Sequence, residues 1–264
     1  MSKAERKKLD MEIRLLRNTN FKKGEPDGFN RCLATGLFAL MDVSNYKTPG
    51  ITKVWDEMQA IDESIKNEKK GPQSGYHTIY DVLYEKFAVI VDDVQLEKAE
   101  RFLAEYADDK SQKQQIANLK EMVALYKEAM ASFVEFEPVE QYRDPIKNMK
   151  LNAAYEAYKK GIASGFFRFI GMFLYAVSRK TNYKRPGLMR IYSRILEIDK
   201  AIEDESCSLS DELLLYALYE ETDLICYQSF VPLAQAYSEE YCKTGVKKGY
   251  YQQVLDILDA YYQN

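Results

Sequence analysis

The chain has 264 residues, 46% hydrophobic and 30% charged, with a formal net charge of −4. That length and balance allow a sizeable core and exclude a disordered or collagen-like chain. Only 12 Gly and 7 Pro punctuate it, too few turn formers for an all-β protein, so the expectation is all-α.

Residues 3–17 read as a helix, with Leu9, Ile13 and Leu16 on one face and Lys3, Arg6, Lys7, Lys8, Arg14 and Arg17 over the rest. Gly24, Pro26 and Gly28 mark residues 18–28 as a loop. A second, apolar helix is predicted over 29–43. Thr48-Pro49 gives a cap followed by Pro at the first helical position. The helix after it carries Ile51, Val54, Trp55, Met58, Ile61 and Ile65, one buried stripe at spacings of three and four. A polar break over 66–75 leads to a helix over 76–91, where Tyr76, Tyr80, Tyr84 and Phe87 share a face.

The pair Asp92-Asp93 reads as an N-cap for a helix over 94–106, and Asp108-Asp109 resembles it before the next helix, since a carboxylate is favoured at a helix start. A capping box at Ser111–Gln114 opens the helix expected to reach 133, with Ile116, Leu119, Val123, Tyr126, Met130 and Phe133 inward. Residues 135–144 form a connector, and any subdomain break is expected there. Asp144-Pro145 starts a helix to about 160, and a separate apolar helix follows. Helices over 188–203, 212–230, 233–241 and 250–262 complete the reading. Ser208, in Ser208-x-x-Asp211, is expected to cap the second of these, and Val231-Pro232 kinks or breaks it.

The expected fold is therefore all-α, a single domain over 1–264. About ten or eleven helices form a non-repetitive bundle or an irregular array of helical hairpins. No repeat recurs at the solenoid periods.

The window 157–196 stands out. It holds the most apolar run of the chain and the cations Lys159, Lys160, Arg168, Arg179, Lys180, Lys184, Arg185, Arg190 and Arg194, with no Asp or Glu. Residues 162–177 are too short to span a bilayer and carry Arg168 near their middle, so a buried core helix is expected rather than a membrane segment. Gly161-x-x-x-Gly165 matches a small-residue packing motif. Arg168 needs an anionic partner if buried, and an internal carboxylate is the expected one. The window is followed by an acidic block, residues 197–223, containing ten acids and Lys200. The two blocks either neutralise each other within the fold or face separate partners.

Chemistry is sparse. The cysteines, Cys32, Cys207, Cys226 and Cys242, lack the paired spacing of a zinc site, and His77 is the single histidine. No nucleotide-binding, hydrolase-elbow or metalloprotease motif is present. The reading is a protein without catalytic residues, metal or cofactor. Charged residues 1–10 lead into no apolar signal segment, and unpaired thiols fit a reducing compartment, so a cytoplasmic location is expected.

The expected function is a structural or adaptor role through protein–protein contacts, including self-association, and no membrane partner. Twenty-one tyrosines suit half-buried seams and interfaces. The candidate partner or phosphate-binding residues are Arg168, Arg179, Lys180, Tyr183, Lys184, Arg185, Arg190 and Arg194, with Tyr192 a second ring for stacking. The alternative is nucleic-acid association through residues 179–194.

Overall fold

A computed structural model of the chain describes residues 2–44, 46, 48–68, 71–135, 138 and 140–263. Positions 136, 137 and 139 of the expected connector lie outside the described residues, as do positions 69 and 70 of the expected polar break.

The described residues form an all-α fold: α1 (Lys3–Ser44), α2 (Thr48–Lys66), α3 (Pro72–Phe87), α4 (Asp93–Glu105), α5 (Lys113–Val134), α6 (Pro145–Lys180), α7 (Arg185–Glu203), α8 (Asp211–Thr222), α9 (Val231–Thr244) and α10 (Tyr250–Gln263). Short 3-10 turns precede α5 and α9. Two compact units are present. The first comprises Met1–Asn30 and Tyr80–Phe169, the second Arg31–Ile79 and Ile170–Asn264.

Several boundaries differ from expectation. The loop expected over 18–28 is helical, and α1 runs unbroken through Pro26. Proline in a helix interior costs about 3 kcal/mol, so tertiary contacts must outweigh it. Those contacts are visible in the first unit. Lys150 of α6 meets Glu12 of α1, Glu156 meets Arg17, and the Phe169 ring meets Phe29 edge-on at 5.3 Å. Residue numbers rise together on both helices, so the two segments run parallel. Between these contacts Gly24 and Gly28 of α1 face Gly161 and Gly165 of α6. A Cβ added at any of the four would come closer than 3.0 Å to backbone of the facing helix. The glycines that read as helix breakers are therefore the surface on which two helix backbones touch.

The same contact explains why α6 is one helix and not two. Its expected core residues are fully buried: Phe166 and Phe169 in the first unit, and Ile170, Phe173 and Val177 in the second. Among the described residues α6 is the one helix long and apolar enough to cross a membrane, and 72% of its most apolar window is buried in the fold. Internal packing thus accounts for its composition. In the first unit Phe166 and Phe167 pack against Tyr126 and Phe133 of α5, with centroids at 4.8 Å for the Phe166–Phe133 and Phe167–Tyr126 pairs.

Caps follow chemistry more closely than periodicity did. Asp92 accepts from the Gln95 N–H at the start of α4, and Asp109 accepts from the Ser111 N–H. In place of the expected capping box at 111–114, Lys110–Gln112 form a 3-10 turn and α5 starts at Lys113, and Ser210, not Ser208, caps α8 by accepting from the Leu213 N–H. The helix expected over 212–230 ends at Thr222, where Asp223 takes a left-handed conformation at φ 56°. Pro232 then sits in the first turn of α9, where its missing N–H costs nothing.

Candidate functional site

The expected surface patch is largely spoken for by internal partners. In the first unit Arg168 pairs with Glu25 of α1, and the Ser164 hydroxyl donates to the same carboxylate at 3.4 Å. An internal carboxylate was expected, but it comes from α1 and not from the acidic block. In the second unit Arg179 and Lys180 converge on Glu57 of α2 at 3.0 and 2.8 Å. Their position in the last turn of α6 also suits the helix dipole. Arg194 lies between Asp42, at 2.8 Å, and Glu197, at 2.9 Å.

The Tyr183 ring stacks against Tyr46 at 6.1 Å and leans over Gly187, where a Cβ would meet it at 2.7 Å. Tyr192 was expected to offer a stacking ring, but it is fully buried because its position continues the inward stripe of Leu188, Ile191 and Ile195. Burial pushes its phenol well up. Arg185 is half-buried. Lys184 and Arg190 stay exposed and make no ion pair among the described residues. His77 is exposed on α3.

Much of the basic block and part of the acidic block are thus paired within the fold, but mostly not with each other. Glu25, Asp42 and Glu57 take the cations, and Arg31 and Lys247 take acids of the 197–223 block.

Two buried clusters in the second unit were not anticipated. In the first, the Arg31 fork grips Asp199 of α7 with both nitrogens, at 2.5 and 2.7 Å, and reaches Glu203 at 2.6 Å. Asp199 side-chain exposure is 8% against 18% for Arg31, so the carboxylate loses more solvent than the cation. Burial pushes Asp199 up to about 6, outweighing the pull of the Arg31 guanidinium. Burial also opposes the Arg31 cation, but Asp199 and Glu203 together raise its pKa. Asp211 of α8 stands near the same guanidinium and is pushed up by burial. Cys32, on the next position of α1, is fully buried, and its thiol is pushed well up by burial and then by Asp199.

The second cluster centres on Glu220 of α8. Its carboxylate accepts from the Tyr237 hydroxyl at 2.6 Å and from the backbone N–H groups of Lys248, Gly249 and Tyr250 at 2.6, 3.1 and 2.9 Å. Those three amides are the start of α10, so one helix caps another with a buried carboxylate. Aromatic rings enclose it: Tyr216 stacks on Tyr250 at 4.9 Å and meets Phe230 edge-on at 5.1 Å. Burial, and then Glu220, push the Tyr237 phenol up.

A signal for the Asp199 cluster, and for the Glu57 pairing with Arg179 and Lys180, lay in the sequence. Glu57 sits three after Val54 and four before Ile61, and Asp199 sits four after Ile195 and three before Ile202. Each occupies an apolar stripe where a charge must be buried, and a buried charge requires a partner.

In the first unit an open groove of about 310 Å³ is lined by Arg17, Asn18, Phe21, Glu156, Ala157 and Lys160. Glu156 bridges both cations of the groove, Lys160 at 2.7 Å and Arg17 at 3.5 Å. Among the described residues no group of three His, Cys, Asp or Glu side chains is placed to hold a metal ion.

The exposed faces of the first unit are chemically distinct. On α1, Lys7, Lys8, Met11, Arg14, Leu15 and Lys22 are exposed, opposite the stripe through Leu9, Ile13, Leu16 and Gly24. Met11 and Leu15 are 65% and 66% exposed. Lys7, Arg14 and Lys22 make no ion pair among the described residues.

Comparison with family models, curated proteins and solved structures found no match for this chain.

Proposed function

We propose that this chain is a non-enzymatic structural or adaptor protein of the cytoplasm that acts through protein–protein contacts, self-association among them. The observation that carries this reading is the outer face of α1, where two large apolar side chains stand in water among cations. Exposed apolar groups set together on one helix face are a mark of contact surfaces. The buried charges support the same reading, because Arg31, Glu57, Arg168, Arg194 and Glu220 are engaged in holding helices together.

The test is light scattering of the purified protein across a concentration series, with absorbance at 260 nm read alongside and capture of partners from a lysate. Mass that rises with concentration, or a stoichiometric protein partner, supports the reading. A monomer that captures nothing overturns it. Nucleic-acid association through 179–194 has less support, since Arg179, Lys180 and Arg194 are engaged with carboxylates. It would be revived by salt-dependent retention on nucleic acid that Arg185→Glu with Arg190→Glu abolishes.

A further inference from the structure

We infer that the outer face of α1 docks on the outer face of α4 of a second copy of this chain. The inference rests on the self-association reading and names the surfaces that would carry it. Both faces belong to the first unit.

The α1 face carries Lys7, Lys8, Arg14 and Lys22 around Met11 and Leu15. On α4, Asp93, Val94, Glu97, Arg101, Ala104 and Glu105 are exposed, and Asp108 follows just past the helix end. Val94 is 50% exposed. Arg101 pairs with Glu97 at 2.6 Å, which leaves the α4 face with surplus negative charge. One face is thus cationic with an apolar centre, and the other is anionic with an apolar centre.

The helix dipoles select an orientation. Cations gather near the N-terminal end of α1, where the dipole disfavours them, and Glu105 lies in the last turn of α4, which has no basic residue. Antiparallel docking sets Lys7 and Lys8 against Glu105 and Asp108, so the C-terminal end of α4 gains the cations its last turn lacks, while α1, whose first turn already carries Glu5, gains further negative charge. At 1.5 Å per residue the same register brings Arg14 near Glu97 and Lys22 within a side chain's reach of Asp93, while Met11 and Leu15, about 6 Å apart along α1, fall between Ala104 and Val94, about 15 Å apart along α4. A nucleic acid would leave Met11 and Leu15 unused, whereas an acidic helix with apolar residues of its own uses the whole face.

The contact joins two different surfaces, so each copy keeps one free face of each kind, and association is open-ended unless it closes into a ring. Each face measures only about 20 Å by 10 Å, far below the ~1,200 Å² of a stable interface. The pairwise contact is therefore weak, with a dissociation constant on the order of 0.1 mM.

The experiment is sedimentation velocity at protein concentrations up to about 0.5 mM, spanning that constant, in low and high salt. Wild type should gain mass with concentration and lose that gain at high salt. Lys7→Glu with Arg14→Glu should weaken association at least tenfold, and so should Glu97→Lys with Glu105→Lys. Mixing the two variants should restore it, because the intact α1 face of one meets the intact α4 face of the other, and the two reversed faces are again opposite in charge. Circular dichroism confirms that each variant folds.

Association that survives either reversal, or that mixing fails to restore, overturns this interface and leaves self-association standing. A wild type that stays monomeric throughout overturns both. Binding of wild type to anionic vesicles or nucleic acid that Lys7→Glu with Arg14→Glu abolishes, in the absence of self-association, assigns the α1 face to that partner and overturns the inference.

Discussion

Replacing Gly165 by Ala sets two known effects against each other. In an exposed helix interior the change would stabilise by about 1 kcal/mol, because Ala is the better helix former. At Gly165 the new Cβ would fall closer than 3.0 Å to the backbone of Glu25 and Phe29. No rotamer change relieves a clash with backbone, so α1 and α6 must move apart, and the facing contacts along the crossing loosen. Overpacking of this kind costs about 1–3 kcal/mol, and the upper end applies where the obstacle is main chain. The expected net effect is a loss of about 1–2 kcal/mol. Urea unfolding followed by far-ultraviolet circular dichroism should place the midpoint of Gly165→Ala about 0.5 M below wild type. Adding Gly161→Ala should cost less than the first change, because the helices have already separated. If Gly165→Ala equals or exceeds wild type in stability, the glycine-to-glycine crossing is not how these helices meet.

The Glu220 cap should be sensitive to loss of either oxygen. Glu220→Gln sets an amide donor against the Tyr250 N–H and should cost about 1–3 kcal/mol. Hydrogen exchange should quicken first at the start of α10, and unchanged protection there would count against the cap. Asp199 has a folded-state pKa near 6 against an ordinary 3.8, so its contribution to stability is fully present below about 3.8 and is lost as pH rises through 6. The shift corresponds to roughly 3 kcal/mol. Asp199→Asn should therefore flatten the fall in stability between pH 4 and pH 7, although its overall stability is lower. Parallel profiles for the two proteins would refute the shift. Thiol alkylation under native conditions should mark exposed Cys242 first, half-buried Cys226, its thiol pushed up to about 12, more slowly, and fully buried Cys32 only on unfolding. Rapid modification of Cys32 in the native state would contradict its burial.

Local chemistry was legible in the sequence wherever a single segment decides the outcome. The helical class, the buried stripe of α2, the caps at Asp92 and Asp109, and the burial of Phe166 to Val177 all follow from spacing and residue type within one turn or two. The need of Arg168 for a carboxylate was equally readable, because burying a guanidinium without one is too costly. Which carboxylate was not readable, since Glu25 lies 143 positions away and charge pairing depends only on distance in space. The same holds for Glu57 with Arg179, for Asp199 with Arg31, and for Glu220 with the start of α10.

Gly24, Pro26 and Gly28 mark the limit most clearly. Their intrinsic preference is to break a helix, and the sequence by itself assigned them to a loop. Only the facing glycines of α6 reverse that outcome. Without side chains the two backbones approach closely enough for the packing to outweigh a local penalty of a few kcal/mol. The sequence determined the helical class and most apolar stripes, but tertiary contact decided that residues 18–28 join α1. The tertiary structure decided which charges remain on the surface, because the partners that remove the rest come from distant parts of the chain.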